Sequence, residues 1–97
     1  MKYFVYLLET ERGTIYTGIT TDVERRFLEH LNGVNKKGAK YTNANKPVRI
    51  LYKKEYGTKS EALKEEYRIK QLRRDKKLEL IANYNVVKDI GTQDIKD

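Results

Sequence analysis

Two tyrosines ten residues apart, Tyr6 in Val5-Tyr6-Leu7 and Tyr16 in Tyr16-Thr17-Gly18, are followed at once by the run Arg25-Arg26-Phe27-Leu28-Glu29-His30. Phenol, guanidinium and imidazole groups in this combination suit a phosphodiester. A phenol can act on an attacking water when nearby cations favour its phenolate, and a planar, permanently charged fork can hold two phosphate oxygens as charge grows on them. Tyr16 is placed as the base and Tyr6 as the group that orients that phenol or the water. Arg26 is placed on the phosphate. His30 could donate to a phosphate oxygen or assist proton transfer. Each residue also has an ordinary reading: aromatic pairing across a hairpin for the tyrosines, an edge salt bridge for Arg26 and a packed helical histidine for His30.

The elements that would carry these groups follow from pattern. Tyr3 to Leu8 is apolar on both alternations, as in a central strand covered on both faces. Glu9 to Gly13 supplies a polar turn and Thr14 to Ile19 the return strand of a hairpin. A register pairing residue numbers that sum to 22 sets Tyr6 across from Tyr16, and a slip by one residue would part them to opposite faces. From Asp22 to about Asn32 the spacing predicts a helix with Gly33 as its stop and Val23, Phe27 and Leu31 as its apolar stripe. Arg26 and His30 lie along the edge of that stripe, and Arg25 lies on the far side.

A polar, lysine-rich loop spans Asn35 to Pro47. Val48 to Tyr56 reads as a third strand, with Val48, Ile50 and Tyr52 alternating against Arg49, Leu51 and Lys53. Thr58-Lys59-Ser60-Glu61 matches a capping box. The helix it opens should run to about Arg73, with a shorter one from Asp75 to about Ala82. Residues 84–97 show no sustained period and are left as a C-terminal tail to a domain spanning residues 1–83.

Composition bounds the partners. The 97 residues carry 21 Lys+Arg against 14 Asp+Glu, a formal charge of +7, so an anionic partner is expected, nucleic acid first. No cysteine is present, which excludes disulfides and thiolate zinc sites. With neither a long apolar run nor a leader pattern, the expectation is a cytoplasmic protein without membrane contact.

With these pieces in order, the chain resembles the GIY-YIG nuclease family, specifically its small stand-alone bacterial members. Val5-Tyr6-Leu7 stands where the family has Gly-Ile-Tyr, and Tyr16-Thr17-Gly18 where it has Tyr-Ile-Gly. Arg26 with His30 resembles the family's catalytic arginine and the histidine one turn later. Ala62-Leu63-Lys64-Glu65-Glu66-Tyr67 is similar to the segment bearing the metal-binding glutamate. The helical wheel leaves Glu65 and Glu66 both open as ligands, and the family pattern selects Glu66. Gly38-Ala39-Lys40-Tyr41-Thr42 resembles a recurrent loop, so Lys36, Lys37, Lys40 and Tyr41 are assigned to phosphate and base contacts, with a solvated charge run as the plainer alternative. Asn83 is matched to a polar residue that other members hold near the site.

The resemblance implies an α/β domain with a three-stranded, largely antiparallel sheet flanked by helices. It further implies a metal-dependent endonuclease acting on DNA, with RNA as the other candidate. The divalent ion would be Mg²⁺, or Mn²⁺ in its place, held by Glu66. Specificity would need a protein partner or a homo-oligomer. The competing reading is a nucleic-acid-binding module on the same scaffold that does not cleave.

Overall fold

The run that is apolar on both alternations becomes the central strand. The computed structural model describes residues 1–32 and 46–96, with side chains for 1–31 and 46–86. Its elements are β1 (Tyr3–Thr10), β2 (Ile15–Thr20), α1 (Val23–Asn32), β3 (Pro47–Tyr56), α2 (Lys59–Lys70) and α3 (Arg74–Lys96). The strands are ordered β2-β1-β3 and both pairs are antiparallel. This is the α/β architecture expected from the resemblance. Val5, Tyr6, Leu7 and Leu8 are all buried because helices cover both faces of β1.

The two faces have separate cores. Val5 and Leu7 pack with Tyr52, Ala62, Ile69 and Ile81 under α2 and α3. Tyr6 and Leu8 pack with Val23, joined by Phe4, Tyr16 and Phe27, under α1. Each fully buried aliphatic side chain contributes about 1.5–3 kcal/mol, and alternation along β1 supplies both cores from one strand.

Gly13 turns the hairpin at φ 80°, where a side chain would be strained. The hydroxyls of Thr10 and Thr14 meet across the turn at 2.6 Å. The pairing sets Tyr6 opposite Gly18 and Tyr16 opposite Leu8. The register is thus two residues along from the one that would have faced the tyrosines. A shift of two restores side-chain parity, so both still lie on the α1 face.

The expected alternation along β3 fails for a local reason. The β1–β3 register shifts between Leu7 and Leu8 and again between Glu9 and Thr10, leaving Leu51 and Val48 without Cα partners. At such bulges the strand turns, so Ile50 packs on the α1 side while Leu51 joins Tyr52 on the other. Val48, expected inward, is 53% exposed.

The helices differ from expectation at their ends. Asp22 Oδ1 accepts from Arg25 N–H at 3.1 Å and opens α1. Thr58 is the N-cap of α2: its oxygen accepts from Glu61 N–H at 3.2 Å and its hydroxyl donates to Glu61 Oε1 at 3.0 Å. The chain turns at Gln71, ending α2 at Lys70 rather than near Arg73. Past Ala82 the sequence offers no proline or glycine before Gly91, and Tyr84 packs on Tyr52 at 5.2 Å between ring centroids. The helix therefore continues as the 23-residue α3 through a stretch whose lack of a sustained period left it unassigned. Among the described residues no helix is long and apolar enough to cross a membrane.

Candidate active site

The α1 face of the hairpin collects the four groups that opened the sequence reading. β1 and β2 deliver the tyrosines, whose ring centroids are 6.1 Å apart. Returning along that face, α1 brings His30 edge-on to Tyr16 at 5.4 Å and sets Arg26 in hydrogen-bonding contact with the Tyr6 phenol. Arg25 points outward and is exposed, as the wheel required. Leu31, expected in the buried stripe, is 38% exposed, while His30 is 5% exposed. The helix is rotated so that the imidazole, rather than the leucine, is turned inward.

Gly18 explains how the rings fit. A Cβ at that position would lie 2.6 Å from Tyr6 Oη, 2.7 Å from Tyr6 Cζ and 3.0 Å from Tyr16 Cε1. The Tyr6 ring therefore lies directly over the glycine backbone, and the phenol reaches across β2. In the sequence Gly18 stands only as the end of a three-residue motif; the signal that marks its role is a strand glycine beside two aromatics.

The electrostatics separate the groups by role. Burial and the neighbouring Tyr16 phenol push the Tyr6 hydroxyl well above its ordinary range, against the opposing pull of Arg26, so Tyr6 keeps its proton. Burial, with the Arg26 charge beside it, pushes His30 down, so its imidazole is neutral at neutral pH. His30 Nε2 has no hydrogen-bond partner among the described residues. Arg26 is partly buried, which works against its charge, yet Glu29 and the Tyr6 phenol hold it firmly protonated.

Three residues with no role assigned from the sequence, Glu29, Lys53 and Glu24, shape this face. Arg26 Nη1 donates to Glu29 Oε1 at 3.2 Å, an i,i+3 pair that helical spacing alone could have flagged. Lys53 is opposite Tyr6 on β3, and its Nζ meets Glu24 Oε2 at 2.8 Å. Each cation beside the tyrosines thus carries a carboxylate from α1.

Glu66 belongs to α2, on the other face of the sheet, where its Oε2 is 3.4 Å from Lys70 Nζ. Its position about that helix is informative. Ala62 and Ile69 mark the buried line of α2. Glu65 chelates Arg68 at 2.6 and 2.8 Å and bonds the Tyr56 phenol, so it faces β3. At about 100° per residue, Glu66 falls on the other flank of the Ala62/Ile69 line, toward the edge strand β2 that carries Tyr16 and Gly18. The wheel alone could not separate the two glutamates, and the packing against β3 does.

Asn83 lies within α3 rather than beyond the last helix, beside Arg68 and Leu72 in a small surface cleft. Lys36, Lys37, Lys40 and Tyr41 fall outside the described residues. Among the described residues no three His, Cys, Asp or Glu side chains converge as a metal cluster.

The family and the fold are shared with known proteins. The GIY-YIG catalytic domain matches residues 2–79. A UPF0213 protein of Staphylococcus saprophyticus is 46% identical over 81 residues, covering 84% of this chain and 95% of the relative. One from Cupriavidus necator is 59% identical over 70 residues, covering 72% and 73%. The solution NMR structure of a Bacillus halodurans UPF0213 protein superposes with a TM-score of 0.54 at 44% identity, covering 84% of each chain.

Proposed function

The chain belongs to the GIY-YIG family, and on that premise we propose that it is a metal-dependent endonuclease hydrolysing phosphodiester bonds in DNA. The family is of nuclease type and implies a nucleic-acid substrate; DNA is placed before RNA on the same likeness. The observation that carries the reading is the meeting of Tyr6, Tyr16, Arg26 and His30 over Gly18 on one sheet face.

The donor set suits Mg²⁺ in one respect that matters. Mg²⁺ keeps most of its waters and takes one or two carboxylates together with substrate phosphate oxygens. A single Glu66 carboxylate on the β2 flank, held meanwhile by Lys70, is what an ion arriving with its substrate would use. When bound, the ion supplies positive charge to the phosphate as negative charge builds there.

The chain's own residues do the rest. A guanidinium carries five N–H donors, so Arg26 can keep Glu29 and Tyr6 and still present donors to the phosphate oxygens. Tyr6, protonated and pinned over Gly18, orients Tyr16 and the water. Tyr16 takes the proton from that water as general base. His30 is neutral and packs edge-on against the Tyr16 ring, so it positions that phenol.

A gel assay over duplex DNA, single-stranded DNA and RNA, with Mg²⁺, Mn²⁺ or chelator, tests the reading. Cleavage of DNA that stops with chelator, and is lost in Glu66→Ala while affinity is largely kept, is the expected result. No metal-dependent cleavage of any substrate would leave a non-cleaving nucleic-acid binder. Cleavage by Glu66→Ala at the native rate would remove Glu66 as the ligand.

A further inference from the structure

On the sheet face opposite the tyrosines, a cleft of about 360 Å³ opens between the end of the β1–β2 hairpin, β3 and α3. That volume lies at the lower end of small-ligand sites and cannot admit a duplex. Ile15 from β2, Leu51 from β3 and Leu78 from α3, which is still 46% exposed, supply apolar patches in a lining that is otherwise mostly polar, Asn85 included. Its rim is charged. Arg49 Nε donates to Glu9 Oε1 at 2.5 Å on one side, and Arg74 stands on the other with no ion pair among the described residues.

We infer that this cleft binds a single nucleotide, with the base against the Ile15, Leu51 and Leu78 side chains and the phosphate on Arg74. The occupant must have flat apolar faces, a polar edge and an attached anion. Leucine and isoleucine side chains accept the faces, and the nearby Arg49 guanidinium can stack on a ring. Glu9 opposes a bare anion but accepts from base N–H groups, since a carboxylate holding one arginine has lone pairs to spare. The cleft is therefore built for a nucleotide rather than for inorganic phosphate.

The inference deepens the nuclease reading and rests on it for its place in the reaction. Ile15 in the cleft and Tyr16 at the site are neighbours on the edge strand and point to opposite faces. An unpaired strand passing over that edge would set one base in the cleft while a nearby phosphate lies at Tyr16. A substrate with single-stranded character is the class that fits.

The test is an amide NMR titration of the full chain with the four deoxynucleoside monophosphates, a single-stranded tetranucleotide and inorganic phosphate. Shifts should centre on Gly13, Ile15 and Leu78 with nucleotide and be absent with phosphate. Shifts from monophosphates mark a site for the free nucleotide, and shifts from the tetranucleotide alone mark part of the strand path; both support the inference. Arg74→Glu should weaken binding about tenfold or more, whereas Arg73→Glu, an equal charge change outside the cleft lining, should have little effect. Shifts confined to the tyrosine face, shifts reproduced by phosphate, or equal losses in the two arginine variants would overturn it. Wild-type cleavage is measured separately: cleavage without nucleotide shifts here sinks this inference alone, and nucleotide shifts here without cleavage sink only the nuclease reading.

Discussion

Replacing Gly18 by alanine isolates the contact that sets the tyrosine pair. On a β-strand with no close neighbour, alanine in place of glycine stabilises by roughly 0.5–1 kcal/mol because the unfolded chain loses freedom. At Gly18 the new methyl would come within 2.6 Å of Tyr6 Oη and 2.7 Å of Cζ, so about 0.8 Å must open to reach an ordinary contact of 3.4 Å. Tyr6 is 1% exposed and enclosed by Leu8 and Val23, so the ring has no free direction. Overpacking of this kind costs about 1–3 kcal/mol, which reverses the sign expected from backbone freedom. A displacement near 1 Å of catalytic groups lowers turnover on the order of a hundredfold. Urea denaturation and single-turnover cleavage of Gly18→Ala measure the two effects. The Tyr6→Leu background, which removes the ring, should make Gly18→Ala neutral or stabilising. A stabilised Gly18→Ala in the native background would refute the account of how the rings are held.

Thr17, buried under α2 with an Oγ1 that has no partner among the described residues, should accept valine with a gain of about 1 kcal/mol in urea denaturation and no loss of cleavage; destabilisation would mean its hydroxyl is satisfied. His30 is neutral when folded and more basic when unfolded, so its contribution to stability is complete above the unfolded value of about 6.5 and is lost as pH falls through the lower folded value. Urea midpoints of wild type and His30→Gln between pH 5 and 8 should diverge only below that point, and parallel curves would contradict it. Glu65→Ala, which releases both Arg68 and Tyr56, should lower stability and leave turnover at saturating Mg²⁺ nearly intact, opposite to Glu66→Ala; equal turnover losses would undo the distinction between the two flanks of α2.

Elements with strong local signals were legible in the residues. The doubly apolar β1, the Gly13 turn, the Thr58 cap and the Arg26/His30 face of α1 each declare themselves through period or cap chemistry within a few residues. What the sequence concealed depends on partners distant along the chain. The two-residue shift of the hairpin register, the bulges that turn Leu51 and Ile50 to opposite faces and the inward His30 are settled by packing across the sheet. The length of α3 was missed because Tyr84 gains its helix-holding contact from Tyr52, which lies in β3. The tyrosine–arginine face was legible because its spacing survives any register shift of two. The helical wheel alone does not tell Glu66 from Glu65; the bond between Glu65 and Tyr56 places the two on different flanks of α2.

The central claim is that the phosphate is held by Arg26 most strongly as charge develops on it, and the most direct test compares Arg26→Ala with Arg25→Ala. Arg25 is exposed on the outer side of α1, so its loss subtracts one surface charge and nothing else. Affinity for DNA and single-turnover cleavage are measured for both at fixed salt. The account predicts that Arg26→Ala lowers the cleavage rate by about a hundredfold or more with affinity changed by less than about tenfold, while Arg25→Ala leaves the rate near that of wild type. If Arg26→Ala alters only affinity, to the same degree as Arg25→Ala, the tyrosine–arginine face binds nucleic acid but does not cleave it.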